Sequence, residues 1–134
     1  MLKKQREGSA LKIYRSSEDY LETMLMLREE RGYIRSVDVA ERLCVTRPSV
    51  SYAVKRLREN GYITMEADGR ISLSPTGLEI AQRMYTRHHL LTDFFLSLGV
   101  PAETAREDAC KVEHELSDAS FDAICRLMEA KRRA

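Results

Sequence analysis

The chain has 134 residues, enough for one good core or for two small subdomains sharing one. Its formal net charge of +1 singles out no class of partner, and its 3 cysteines are too few and odd in number for a disulfide framework, so they read as reduced thiols of a cytoplasmic protein. No apolar run approaches a membrane span and the N-terminus has no continuous apolar core of a secretory signal, which argues against membrane insertion and export.

Residues 1–15 are polar, basic and broken by Gly and Ser, and are expected to form a flexible basic arm. Ser16 or Ser17 is placed to N-cap a first helix whose apolar stripe is Tyr20, Leu21, Met24, Leu25 and Leu27 and which ends near Gly32. Ser36 is expected to cap a second helix, with Val39, Ala40 and Leu43. Thr46 is expected to cap a third, with Val50, Ala53, Val54 and Leu57, ending at Gly61. Cys44 falls in the turn between them and reads as a small core residue. Ile63 and Met65, then Ile71 and Leu73, alternate with polar residues around Asp68-Gly69, a strong hairpin signal. Ser74 and Pro75 open a long helical stretch to about Leu98, which Gly99 and Pro101 break. A helix through Asp108–Leu116 and a last one capped by Ser117 and running through Leu127 complete the chain.

The expected fold is mainly α with a small β-hairpin wing. An N-terminal winged helix-turn-helix would occupy residues 16–73 and a helical domain residues 74–134. Charge follows the same division: residues 1–73 carry 14 Lys+Arg against 11 Asp+Glu, and residues 74–134 carry 8 against 10.

"SVDVAERLCVTRPSVSYAVKRLRENGYI", Ser36 to Ile63, places two short amphipathic helices across a tight turn, directly before the hairpin. No acidic side chain stands between Thr46 and Arg58. Arg47, Ser49, Ser51 and Tyr52 suit base edges, Lys55 and Arg56 suit phosphates, and Arg70 on the wing suits a backbone or minor-groove contact. An ordinary helical hairpin with a solvated basic face has the first two features but not the wing. The combination points to double-stranded DNA.

In "DACKVEHELSD" the residues Cys110, Glu113 and His114 stand at i, i+3 and i+4, on one face of a helix. Val112 and Leu116 border that face, so a carboxylate and an imidazole would sit against the core, where a cation would satisfy both. Asp19 and Glu22 on the first helix and His88 on the fourth are further donors. Each has a plainer reading: charges favoured near a helix start, a surface histidine, a small buried thiol. Oxygen and nitrogen donors with one sulfur suit Mn(II), Fe(II), Co(II), Ni(II) or Zn(II) rather than Mg(II) or Ca(II). A Cys–His hydrolase would need an oxyanion hole and a third orienting residue, and no Gly-rich turn accompanies Cys110, so no enzyme and no small organic substrate are expected. Leu90, Leu91, Phe94, Phe95, Phe121, Ile124 and Leu127 exceed what so short a domain needs for its own core and suggest a homodimer.

Four stretches, "SSEDYLETMLML", "GYIRSVDVAERLCVTRPSVSYAVKRLRENGYI", "LSPTGLEIAQRMYTRHHLL" and "EDACKVEHELSD", together resemble the metal-dependent regulators typified by the diphtheria toxin repressor and the manganese transport regulator. The resemblance implies a homodimer that grips operators of metal-uptake genes when loaded with Fe(II) or Mn(II). Its metal ligands would fall on Asp19, Glu22, His88, Cys110, Glu113 and His114. The chain departs from both branches. The manganese branch has a carboxylate where Cys110 stands, and the iron branch has that cysteine but a methionine where Asp19 stands. Two ancillary ligands of the iron branch fall on Thr92 and Arg106. The SH3-like domain of some members is not expected, since the sequence ends at Ala134. A winged-helix regulator that senses an oxidant at Cys110, or Zn(II), is the alternative.

Overall fold

The structure is a computed structural model. It describes backbone from Leu2 and side chains from Ser17 to Ala134. The arm expected over residues 1–15 lies outside the residues whose side chains are described. The elements in order are α1 (Leu2–Arg31), β1 (Ile34–Arg35), α2 (Ser36–Leu43), α3 (Arg47–Glu59), β2 (Ile63–Met65), β3 (Arg70–Leu73), α4 (Pro75–Ser97), α5 (Ala102–Val112) and α6 (Asp118–Arg133). Two compact units divide the chain, one up to Gln82 and one from Arg83 onward.

In the first unit α1 packs on α2, α3, β1 and β3. Leu21, Met24, Leu25 and Leu27 of α1 are buried, as are Val39, Ala40, Val50, Val54, Leu57, Ile34, Ile63 and Ile71. Each large aliphatic side chain so removed from water contributes about 1.5–3 kcal/mol. Neither Ser16 nor Ser17 starts a helix, because α1 already runs through both. A serine caps only where the backbone before it leaves the helix. Thr46 does cap α3: it has extended φ and ψ, and its hydroxyl accepts from the Ser49 N–H at 3.3 Å. Pro48 lies in the first turn of that helix, where its missing N–H costs nothing.

The sheet has one strand more than a hairpin. Its order is β1-β3-β2, antiparallel throughout, with Ile34 opposite Ile71, Arg35 opposite Arg70, and Ile63 opposite Leu73. Asp68-Gly69 makes the expected turn: Gly69 has φ +88° and donates to the Glu66 carbonyl at 2.9 Å, and Asp68 Oδ1 accepts from the Arg70 N–H at 3.0 Å. The strand β1 takes the position before Ser36, so Arg35 rather than Ser36 is the N-cap of α2.

Cys44 is not a core residue. It is the C-cap of α2 in the left-handed region, φ 55° and ψ 44°, and its side chain is exposed. The cap N–H donates to the carbonyls of Ala40 and Glu41, which closes the helix and turns the thiol outward. A β-carbon is strained there, so Cys44→Gly should raise stability by about 0.5–1 kcal/mol, net of glycine's larger unfolded-state entropy. Thermal melting would register this as a rise of a few degrees. A lower melting temperature would contradict it.

Ser74 seals the start of α4. Its hydroxyl donates to the Gly61 carbonyl at 2.7 Å and accepts from the Gly77 N–H at 3.1 Å. In the second unit α5 begins earlier than expected, after Pro101, and ends at Val112 rather than Leu116. Glu113 and His114 therefore stand in the turn that follows, held by Glu113 N–H to Ala109 and Leu116 N–H to Val112. Ser117 caps α6 through the Ser120 N–H at 3.2 Å.

Candidate metal centre and nucleic-acid interface

The second unit builds its polar centre around one carboxylate. Glu113 is fully buried, with Oε2 3.0 Å from His88 Nδ1 and Oε1 3.3 Å from His114 Nε2. The His114 side chain is 2% exposed and that of His88 19%. A carboxylate flanked by two imidazoles out of water is a donor set of hard oxygen and borderline nitrogen, the chemistry that holds Mn(II), Fe(II) or Zn(II). The donors thus fit a divalent transition metal. His89 faces elsewhere, edge-on to the Tyr85 ring at 4.3 Å. Cys110 lies in the last turn of α5 and is exposed. It does not share the burial of Glu113 and His114.

The turn bearing Glu113 and His114 is clamped by Arg87, a residue the sequence did not single out. Its guanidinium donates to the carbonyls of Glu113 (3.0 Å) and Leu116 (2.7 Å) and to Asp118 Oδ1, and lies over the Phe121 ring at 4.8 Å. Arg87 is 3% exposed, and these charge-assisted bonds are what make burying it affordable. Nothing in "MYTRHHLL" distinguishes such an arginine from a solvated one.

In the first unit Glu22 is buried and Asp19 half-buried, both on α1 and one turn apart. Glu18 is buried beside them. Carboxylates removed from water require donors or a cation.

The face of α3 opposite Val50, Val54 and Leu57 is polar and open. Arg47, Ser49, Ser51, Tyr52, Lys55 and Arg56 are all exposed there, and Tyr52 is 63% exposed. Arg56 Nη1 donates to the Tyr52 hydroxyl at 3.1 Å, and that bond raises the guanidinium pKa above its usual value. The Ser49 hydroxyl accepts from Thr46 Oγ1 at 2.9 Å, so it is tied to the helix cap. On the sheet, Arg70 is exposed, with Nε 3.5 Å from Asp68 Oδ2. Its guanidinium lies over the Tyr33 ring at 5.2 Å, and that of Arg35 over the same ring at 5.7 Å. Among the described residues no helix is long and apolar enough to cross a membrane.

Residues 12–70 match the family described as iron dependent repressor, N-terminal DNA binding domain. Residues 74–133 match its metal binding and dimerisation domain. The HTH-type transcriptional regulator MntR of Bacillus pumilus (strain SAFR-032) is 40% identical over 114 residues, which cover 85% of this chain and 79% of that protein. The transcriptional regulator MntR of Salmonella typhimurium is 41% identical over 107 residues, 80% of this chain and 68% of that protein. Among solved structures, the manganese regulator SloR superposes with a TM-score of 0.75 at 27% identity, and T. acidophilum IdeR with 0.73 at 27% identity. In both cases the match covers 84% of this chain, which spans about half of theirs, 53%. The chain belongs to the iron-dependent repressor family of metal-dependent transcriptional regulators.

Proposed function

We propose that this chain is a cytoplasmic homodimeric repressor that binds double-stranded operator DNA when loaded with Fe(II) or Mn(II), and that it controls metal-uptake genes. The observation that carries this is the buried Glu113 between His88 and His114, in the segment matched to a metal-binding domain. The ligand set we propose is Asp19, Glu22, His88, Cys110, Glu113 and His114, and the functional division falls at Ser74. Manganese in the names of relatives and iron in the family description support the two metals.

A bound metal would supply positive charge to carboxylates that are costly to bury, Glu22 in the first unit and Glu113 in the second. Asp19 and Glu22 lie on the helix that packs against α2 and α3, so their positions are linked to the orientation of α3. Ligation represses only by favouring the DNA-competent arrangement, since equal affinity for both arrangements shifts nothing. In this reading Arg47, Ser49, Ser51 and Tyr52 meet bases, and Lys55, Arg56 and Arg70 meet the backbone. A dimer places two copies of α3 in successive major grooves. Leu127, 47% exposed on α6, and half-buried Phe94, Phe95, Phe121 and Ile124 support a dimer surface in the second unit. Sedimentation of the metal-loaded protein at micromolar concentration should give a dimer, and a monomer would refute that part.

Metal choice turns on Cys110. A thiolate favours Fe(II) over Mn(II), and the Asp19 oxygen moves the balance back. Anaerobic DNA binding by wild type and Cys110→Glu, each titrated with both metals, tests this. The substitution should strengthen the response to Mn(II) relative to Fe(II). An identical preference in the two proteins would remove Cys110 from the selectivity. A response to peroxide with none to metal would favour the oxidant-sensing reading instead.

A further inference from the structure

We infer that Arg35 of β1, together with Arg70 and Tyr33, forms a second phosphate-binding element, whose ligand is a backbone phosphate of duplex DNA. The inference rests on the reading of this chain as a DNA-binding regulator and adds a contact outside the recognition helix.

Arg35 stands directly opposite Arg70 in the β1–β3 register. Like charges placed opposite each other across strands are destabilising. Here both side chains are exposed, and both guanidiniums lie over one ring, that of Tyr33, at 5.7 and 5.2 Å. A ring face attracts each cation, so both are drawn to the one ring. Asp68 engages only the Nε side of Arg70, at 3.5 Å. Two guanidinium forks carried on directly opposed residues can receive one phosphate, and a shared anion would relieve the repulsion between them.

A second observation is independent of the first. Arg35 occupies the N-cap of α2 and makes no side-chain cap bond. Ser, Thr, Asp or Asn would cap that helix, so the local fold gains nothing from arginine here. Its guanidinium lies instead over Tyr33, the ring that Arg70 of β3 also approaches. The placement serves an external anion.

The same position makes the experiment clean, because serine should cap α2 while removing the charge. The full-length Mn(II)-loaded protein would be bound to a short random-sequence DNA duplex over a range of salt concentrations. Arg35→Ser should keep or raise the melting temperature, weaken binding about threefold, and lower the salt slope by about one unit. Arg35→Lys should restore most of the slope. In an Arg70→Ala background, Arg35→Ser should change the slope by clearly less, because the two arginines share one phosphate. Lys55→Ala, which lowers the slope through α3, is the control. Wild-type affinity and slope in Arg35→Ser, with Lys55→Ala still weakened, would overturn this element and leave the DNA reading standing. Fully additive effects of Arg35→Ser and Arg70→Ala would overturn the shared phosphate. Failure of the metal-loaded wild type to bind DNA would remove both readings.

Discussion

Glu113→Gln should lower the affinity for Mn(II) and Fe(II) by about 100-fold or more and abolish metal-dependent DNA binding. Losing a mere supporting partner of a metal ligand costs about 10–100-fold, so losing a charged ligand should reach or pass the upper end. The amide keeps the shape of the side chain but carries no charge and has one acceptor oxygen instead of two. Glu113 meets His88 on one oxygen and His114 on the other, so the amide nitrogen must face one imidazole. The neutral side chain is easier to bury, and the fold should survive. Calorimetric titration with Mn(II), alongside thermal melting, separates the two effects. Wild-type affinity in a folded Glu113→Gln protein would exclude Glu113 as a ligand. Affinity in the wild type should also fall as pH is lowered, because protons compete with a metal for imidazole and carboxylate donors.

Gly77→Ala should destabilise the first unit by about 3 kcal/mol, at the high end for overpacking. In an open helix this change would stabilise by up to about 1 kcal/mol, so the prediction reverses the usual sign. The cause is the Tyr62 carbonyl. A β-carbon at Gly77 would lie 2.0 Å from that oxygen and 3.0 Å from its carbon. Tyr62 cannot move aside cheaply. Its N–H donates to Leu57 and its carbonyl accepts from Ser74, both at 2.9 Å. Moving it would strain the junction among α3, β2 and α4. A melting temperature equal to the wild type's would show that this junction yields.

What local chemistry encodes was legible in the sequence. Thr46 and Ser117 cap their helices through side chains that act within three residues, and Asp68-Gly69 turns the hairpin by its own backbone preference. The strand β1 was not legible. It is two residues long and exists through pairing with β3, from Ile34 to Ile71, far along the chain. Nothing in the sequence marks Gly77, because its reason lies in the Tyr62 carbonyl. Cys44 was misread because apolar character suggested burial, whereas the left-handed C-cap turns its thiol to solvent.

The candidate site divides the same way. The spacing of Glu113 and His114 marked them, and they stand just past the last residue of α5, with Glu113 still bonded to the Ala109 carbonyl as in a helix. His88 joined them on donor chemistry and meets Glu113 at 3.0 Å. Arg87 and Arg35 carried no signal, because one arginine in a polar stretch looks like any other. Only tertiary placement buries the first and pairs the second with Arg70. Family membership also disposes of a Cys–His hydrolase, since the matched relatives are transcriptional regulators.

The most direct test of metal-dependent repression is fluorescence anisotropy on a duplex that the protein itself selects from a random pool. The apo-protein would be titrated first, then the same protein with Fe(II) or Mn(II) under anaerobic conditions, then the loaded complex with a chelator. Binding should be at least about tenfold tighter with metal, within the usual range of allosteric coupling. The chelator should reverse it. Equal affinity of apo and metal-loaded protein for that duplex would contradict metal-dependent repression.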